Sequence, residues 1–331
     1  MRLDALPVLR APTNAPLPRA IRISLTDRCD MACVYCRPSH RDGYEKTRLS
    51  LAARLHLLAE VQKSGVERVR FTGGEPLLSP DLLPLIRAAR VLGFQDISVT
   101  TNGSRLAELA EPLREAGLHR LTLSLDSLSP ETFHRLTRGG KLARVLEGLA
   151  RAESVGFAEL KTNTVALRGW NEDELLPIAE FALARGITPR FLEVMPIAEG
   201  AALSQDALIP ESELWERLSP LLDNGAPPER APERGPARYR PTRDGRGRVG
   251  VISGTSNTFC QGCDRLRIAA DGTLRPCLAW PESVAAGEVL ERGEALAESL
   301  VAAWQKKPDG EHFRGCTEPT AAALSMRAIG G

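Results

Sequence analysis

The sequence predicts an α/β protein: an incomplete, TIM-like (β/α)6 barrel followed by an irregular α+β cover. Three observations carry this reading. From Ile21 to Glu193, short apolar runs alternate with longer amphipathic ones. Each strand–helix repeat takes about 30 residues, the length of a parallel βα unit. After Pro196 the alternation stops, and prolines and glycines crowd the stretch from Gly225 to Gly250. The composition, 43% hydrophobic and 26% charged over 331 residues, is that of an average soluble protein. It excludes collagen, disorder and a disulfide-dense scaffold. The length suggests about two domains, placed here at 1–195 and 196–331.

In chain order, the expected strands are Ile21–Leu25, Val66–Phe71, Asp96–Thr100, Arg120–Leu125, Ala158–Val165 and Ile187–Glu193. The helical patterns between them are Leu51–Lys63, Leu82–Leu92, Arg105–Ala116, Leu142–Ser154 and Glu172–Arg185. Gly65, Gly93, Gly117, Gly156 and Gly186 stand where helices end, as C-caps do. Ser79-Pro80 and Ser129-Pro130 read as helix starts, with serine as N-cap and proline in the first turn. A doubly wound sheet would show the same alternation. The polar residues favour a barrel, because they gather at strand C-termini: Asp27, Thr72 to Glu75, Thr100 to Asn102, Ser124 with Asp126, and Met195. Six units fall short of the usual eight, so the barrel should be open. Val249–Ile252 and Leu266–Ala269 are short strand candidates, and Leu290–Trp304 reads as one helix. This second region is expected to lie over the barrel's open side.

The net charge is +1, from 43 basic and 42 acidic residues. That argues against a nucleic-acid protein held by bulk charge. Only six of the basic residues are lysines. The arginine surplus reads as a GC-rich coding bias for most positions and as fork-shaped anion clamps for a few. No apolar run approaches the roughly 18 residues of a membrane helix. The first 20 residues carry three arginines and four prolines but no apolar signal core. A cytoplasmic protein, with no membrane partner, is the expectation.

Seven cysteines in a chain of this kind do not suggest disulfides. Six fall into two triplets: Cys29, Cys33, Cys36 and Cys260, Cys263, Cys277. Cys316 stands alone. Three thiolates within eight residues on a loop can converge on one soft object. Zinc would need a fourth ligand, for which His40 is a candidate, and zinc sites more often use paired spacings. An iron–sulfur cluster with three protein ligands leaves one iron open. The second triplet can be a zinc ribbon closed by Cys316, or a second open cluster. Arg265 and Arg267, alternate on a strand, share one face. Without context that face reads as a solvated edge.

Cys29-Asp-Met-Ala-Cys33-Val-Tyr-Cys36 is CxxxCxxC with an aromatic before the last cysteine. Together with Gly73-Gly74-Glu75-Pro76 it resembles the radical S-adenosylmethionine (SAM) enzymes. Three further groups of segments narrow the likeness. They are Arg22 to Cys29 with Arg70 to Pro76, Thr100 to Gly103 with Ser124-Leu-Asp126, and Arg190 to Met195 with Phe259 to Leu278. With the terminal Gly330-Gly331, they resemble the GTP 3′,8-cyclase family, molybdenum cofactor biosynthesis protein A, from about Arg19 onward.

The resemblance implies two [4Fe–4S] clusters, SAM, and GTP as substrate. A 5′-deoxyadenosyl radical would take hydrogen from ribose C3′, and the carbon radical would attack guanine C8. The product would be 3′,8-cyclo-7,8-dihydro-GTP, passed to pyranopterin monophosphate synthase. Cys29, Cys33 and Cys36 match the ligands of the SAM cluster. Tyr35, Gly73, Gly74, Glu75, Ser124 and Met195 match SAM contacts. Arg22, Arg70, Thr100 and Lys161 match GTP contacts, and Arg265, Leu266 and Arg267 match the guanine side. Cys260, Cys263 and Cys277 match the second cluster. Arg265, Arg267, Gly330 and Gly331 match the groups nearest the radical chemistry. A homodimer and a reducing electron donor are usual in the family. Cys316 has no counterpart in the pattern, and Asp264 stands where a smaller or amide residue is expected. Other readings are a peptide-modifying radical SAM enzyme with an auxiliary cluster, and a non-catalytic zinc adaptor.

Overall fold

Six parallel strands, β1 (Ala20–Ser24), β2 (Arg68–Thr72), β3 (Asp96–Thr101), β4 (Arg120–Ser124), β5 (Glu159–Ala166) and β6 (Thr188–Glu193), lie side by side in sequence order. Helices α1 (Leu51–Lys63), α2 (Leu82–Val91), α3 (Leu106–Ala116), α4 (Pro130–Thr137), α5 (Leu142–Val155) and α6 (Leu175–Leu183) pack on their outer face. The computed structural model describes residues 18–37, 44, 47–197, 199–230, 235–260, 263–308 and 326. His40, Cys316, Gly330 and Gly331 fall outside them.

Strand alternation explains the layering. Ile21, Ile23, Val69, Phe71, Ile97, Val99, Leu121 and Leu123 point to the helices and form the main core. The residues between them point inward, and they are Arg22, Arg70, Ser98 and Thr100, not the valines and isoleucines that fill a closed barrel. The interior is therefore a polar cavity.

All six predicted strands are met within two residues at each end, and all but β2 within one. The helix α4, announced by its Ser129-Pro130 start, was not among the expected helices. It has only eight residues, and Phe133 and Leu136 are its main apolar anchors. Ser129 caps it, accepting from the Thr132 amide at 3.3 Å. The pattern at Glu172–Arg185 resolves into a 3-10 turn, Glu172–Glu174, and the shorter α6.

The C-terminal region does more than cover the open side. After α7 (Gly200–Asp206) and α8 (Glu211–Leu218), β7 (Glu229–Arg230), β8 (Arg238–Pro241) and β9 (Arg248–Ile252) form a meander, and β9 pairs parallel with β6. At the other edge β10 (Arg265–Ile268) pairs parallel with β1, followed by β11 (Thr273–Arg275) and β12 (Val284–Ala285). One twelve-stranded sheet results, with the C-terminal strands on both flanks. The expected helix at Leu290–Trp304 is two helices, α9 (Gly287–Glu291) and α10 (Ala297–Gln305). Gly293, at φ +69°, breaks them apart, in the left-handed region that favours glycine.

Candidate active site

The first triplet lies on the loop that leaves the C-terminal end of β1. Two glycines after β2 make room for that loop. A Cβ on Gly74 would sit 2.3 Å from the Arg28 carbonyl oxygen, and one on Gly73 2.4 Å from that of Thr26. The Gly74 amide donates to Thr26 O at 2.5 Å, and the Glu75 amide to Arg28 O at 2.8 Å. Side-chain-free backbone is thus needed one step before Cys29. The other side of the loop is pinned by α4, through Ala32 N to Thr137 O at 3.0 Å and Val34 N to Leu136 O at 2.9 Å.

Glu75, expected at the cofactor, is held by three donors of the protein. Its carboxylate accepts from Leu77 N at 2.9 Å, Thr101 Oγ1 at 2.7 Å and Asn102 N at 2.7 Å. Burial raises its carboxyl to about 7 against these bonds. Asn102, so oriented, donates to Asp30 at 2.8 Å beside Cys29. Tyr35 donates its hydroxyl to Asp126 at 2.6 Å, and Asp126 accepts Val165 N at 2.9 Å, so the aromatic before Cys36 is fixed to β5. Ser124 ends β4 opposite Asn163 of β5.

Burial pushes the Cys29 thiol up to about 12 and the Cys33 thiol well above its usual value; Glu75 raises Cys29 further and Asp126 raises Cys33, with smaller contributions from the neighbouring cysteines. Two buried thiols that ionise only at a cost, with Cys36 beside both, suit a cationic group that takes their protons' place. Among the described residues, no His, Cys, Asp or Glu group of three closes into a single-ion cage. A cubane spreads its three sulfurs over three irons and asks for a wider triangle.

The second triplet is at the other end. Ala20, the first residue of β1, pairs with Arg265, the first of β10, and Cys263 stands just before it. The β10–β11 hairpin then returns Cys277 beside Arg265. Cys260, Cys263 and Cys277 line one pocket with Phe259, Arg265, Arg267 and Lys307. Burial raises Cys263, but the Arg265 and Lys307 cations outweigh it and bring the thiol to about 7.

Between the ends lies the cation layer. Register places Arg267, Arg22 and Arg70 directly beside one another on β10, β1 and β2, with Ser98 next on β3. Thr100, Lys161 and Arg190 line the same cavity, as do Met195, Arg265 and Asn163. Arg70 Nε donates to Ser98 at 3.2 Å and Arg190 to Thr122 at 3.2 Å. Burial, then Arg267 and Arg70, holds the Arg22 guanidinium well below its usual value. Burial and Arg190 lower Lys161 to about 8, against the pull of Glu159 at 2.9 Å. Like charges abreast on a sheet cost stability. A site that tolerates this is built for an anion.

Arg190 was part of a recognised motif but not among the expected site residues, and its only signal is a charge at an inward position of its strand. Leu266 alternates away, its side chain fully buried in the outer core. Asp264 pairs with Arg68 of β2, not with the arginines that follow it. Candidate residues thus occupy the middle and both ends of the strands, not only the C-terminal ends that favoured a barrel in the sequence.

Two family models match: Radical SAM superfamily over residues 23–182 and Molybdenum Cofactor Synthesis C over 187–313. The chain is 37% identical to the GTP 3′,8-cyclase of Pelotomaculum thermopropionicum, over 88% of this chain and 92% of that one. To the GTP 3′,8-cyclase of Moorella thermoacetica it is 38% identical, over 94% and 97%. Among solved structures it is similar in fold to Streptococcus suis SuiB bound to S-adenosylmethionine. That likeness has a TM-score of 0.65 and 16% identity, and covers 95% of this chain and 72% of that one.

Proposed function

The chain belongs to the GTP 3′,8-cyclase family of radical SAM enzymes, and we propose that its mid-barrel cations form the triphosphate subsite of that reaction. The enzyme converts GTP to (8S)-3′,8-cyclo-7,8-dihydro-GTP, the first step of molybdenum cofactor biosynthesis, with SAM and two [4Fe–4S] clusters. When bound, the first cluster and SAM together supply a 5′-deoxyadenosyl radical.

In this reading Cys29, Cys33 and Cys36 hold the first cluster, and Cys260, Cys263 and Cys277 the second. Tyr35, Gly73, Gly74, Ser124 and Met195 contact SAM. Glu75 acts as a positioning residue, tying the cysteine loop to β3. Arg22, Arg70, Lys161 and Arg190, with Thr100, hold the triphosphate. Arg265 and Arg267 face the guanine, with the backbone of Leu266 between them. Gly330 and Gly331, which the family resemblance assigns to the radical chemistry, lie outside the described residues. The observation that carries the reading is the run Arg267–Arg22–Arg70, in register across three strands and lining a cavity that also reaches the second triplet's pocket. A nucleotide lying along it has its phosphates clamped and its ribose and base aimed between the triplets.

The same reading brings in a reducing electron donor, pyranopterin monophosphate synthase as consumer of the product, a homodimer and a cytoplasmic location. Among the described residues no helix is long and apolar enough to cross a membrane.

The test is an anaerobic reaction of the reconstituted protein with SAM, dithionite and GTP. 5′-Deoxyadenosine and a cyclised nucleotide form together, and only when GTP is present. The same yield of 5′-deoxyadenosine without GTP would defeat the assignment.

A further inference from the structure

Lys307 is one of six lysines in a chain that otherwise uses arginine for its cations. It follows α10, with its ammonium 4.8 Å from the Trp304 ring centre. Nζ donates to Arg265 O at 2.8 Å and to Pro276 O at 2.8 Å. Those two carbonyls belong to the two arms of the β10–β11 hairpin. Arg265 lies two residues after Cys263, and Pro276 directly precedes Cys277. The Cys263 thiol lies near enough to feel the charge of the ammonium, and it lines the same pocket. Cys263 accepts from Arg265 Nε at 3.4 Å. Lys307 therefore joins both hairpin arms at the point where two of the three cysteines leave them, and adds a half-buried positive charge there.

A compact tripod of donors suits this task, where a planar guanidinium does not. The reduction potential of a thiolate-held cluster rises with nearby positive charge and with hydrogen bonds to its sulfurs. No assigned role in GTP or SAM binding uses this residue.

We propose that Lys307 is a positioning residue of the second triplet, which fixes its ligand geometry and raises the reduction potential of the cluster held there. The proposal rests on the reading that Cys260, Cys263 and Cys277 hold a [4Fe–4S] cluster. The experiment compares wild type, Lys307→Met and Lys307→Arg after anaerobic reconstitution. Each is a full-length chain whose first-triplet cysteines are replaced by alanine, so that only the second cluster reports. Iron content and an EPR-monitored redox titration are read.

Lys307→Met is expected to shift the midpoint to more negative potential. At the wild-type midpoint its oxidised-to-reduced ratio should rise by about tenfold, roughly 59 mV for a one-electron couple. Lys307→Arg, which keeps the charge but not the tripod, should fall between the two. Loss of the cluster from Lys307→Met with retention in Lys307→Arg would also support the proposal. An unchanged midpoint in Lys307→Met, or loss of the cluster from both variants, would overturn it. A reference protein that takes up no iron would instead overturn the two-cluster reading, and the proposal with it.

Discussion

At the residue scale, Lys161 and Glu75 show how burial sets a role. Lys161 sits at about 8 because burial and Arg190 disfavour its charge. In the free enzyme it therefore loses its proton as pH rises past about 8, and the triphosphate subsite loses a cation. The expected result is a KM for GTP that climbs above that pH while kcat changes less. Lys161→Arg, which stays charged, should flatten the climb. An identical climb in that variant would assign the titration to another group. Glu75 gathers three donors from two loops, and Glu75→Gln turns its amide against some of them. A loss of about 1–3 kcal/mol in urea unfolding is expected, the cost of buried donors left unmet. No change would mean that the clamp is incidental. The cysteines, the paired glycines and Lys161 were legible in the sequence because their chemistry is rare or their spacing specific. Arg190 was not. Arginine is the common cation of this chain, and only the inward alternation of a formed sheet shows where its guanidinium goes.

At the element scale, the Gly73-Gly74 turn and α4 hold the first cysteine loop from two sides. Gly74→Ala would drive a Cβ into the Arg28 carbonyl, and the flanking backbone cannot yield without moving Cys29. The variant is expected to keep the second cluster and lose the first, with about half the wild-type iron. Full iron in that variant would show that the loop has slack. Ser129→Ala should cost about 1 kcal/mol by uncapping α4, read as a lower midpoint in thermal unfolding. Strands β1 to β6 could be placed from sequence because each has alternation and a neighbouring helix. β9 and β10 could be recognised as strands too. Their partners could not, because parallel pairing over a long separation leaves no local mark. β10 meets β1 across more than two hundred residues.

At the scale of the whole molecule, the C-terminal strands complete the barrel sheet on both flanks. Cutting the chain after residue 195 would bare the edges of β1 and β6 and open the cation layer to water. A 1–195 fragment is expected to aggregate or stay unfolded in gel filtration and circular dichroism, since long unpaired edges invite association. A folded monomeric fragment would show the two regions to be independent. The same closure puts one cysteine triplet at each end of β1 and the arginines between. From the sequence the second region is expected as a cover over the open side; that its strands join the sheet at both edges leaves no local mark there. The account stands most directly on the affinity of the reconstituted enzyme for GTP, GDP and GMP, measured by anaerobic equilibrium dialysis in wild type, Arg22→Ala and Arg70→Ala. Wild type should bind GTP most tightly and GMP least. Each variant should lose about 10- to 100-fold for GTP, the worth of one charge-assisted hydrogen bond, and far less for GMP. Equal loss for all three nucleotides, or none, would contradict a triphosphate clamp in the middle of the barrel.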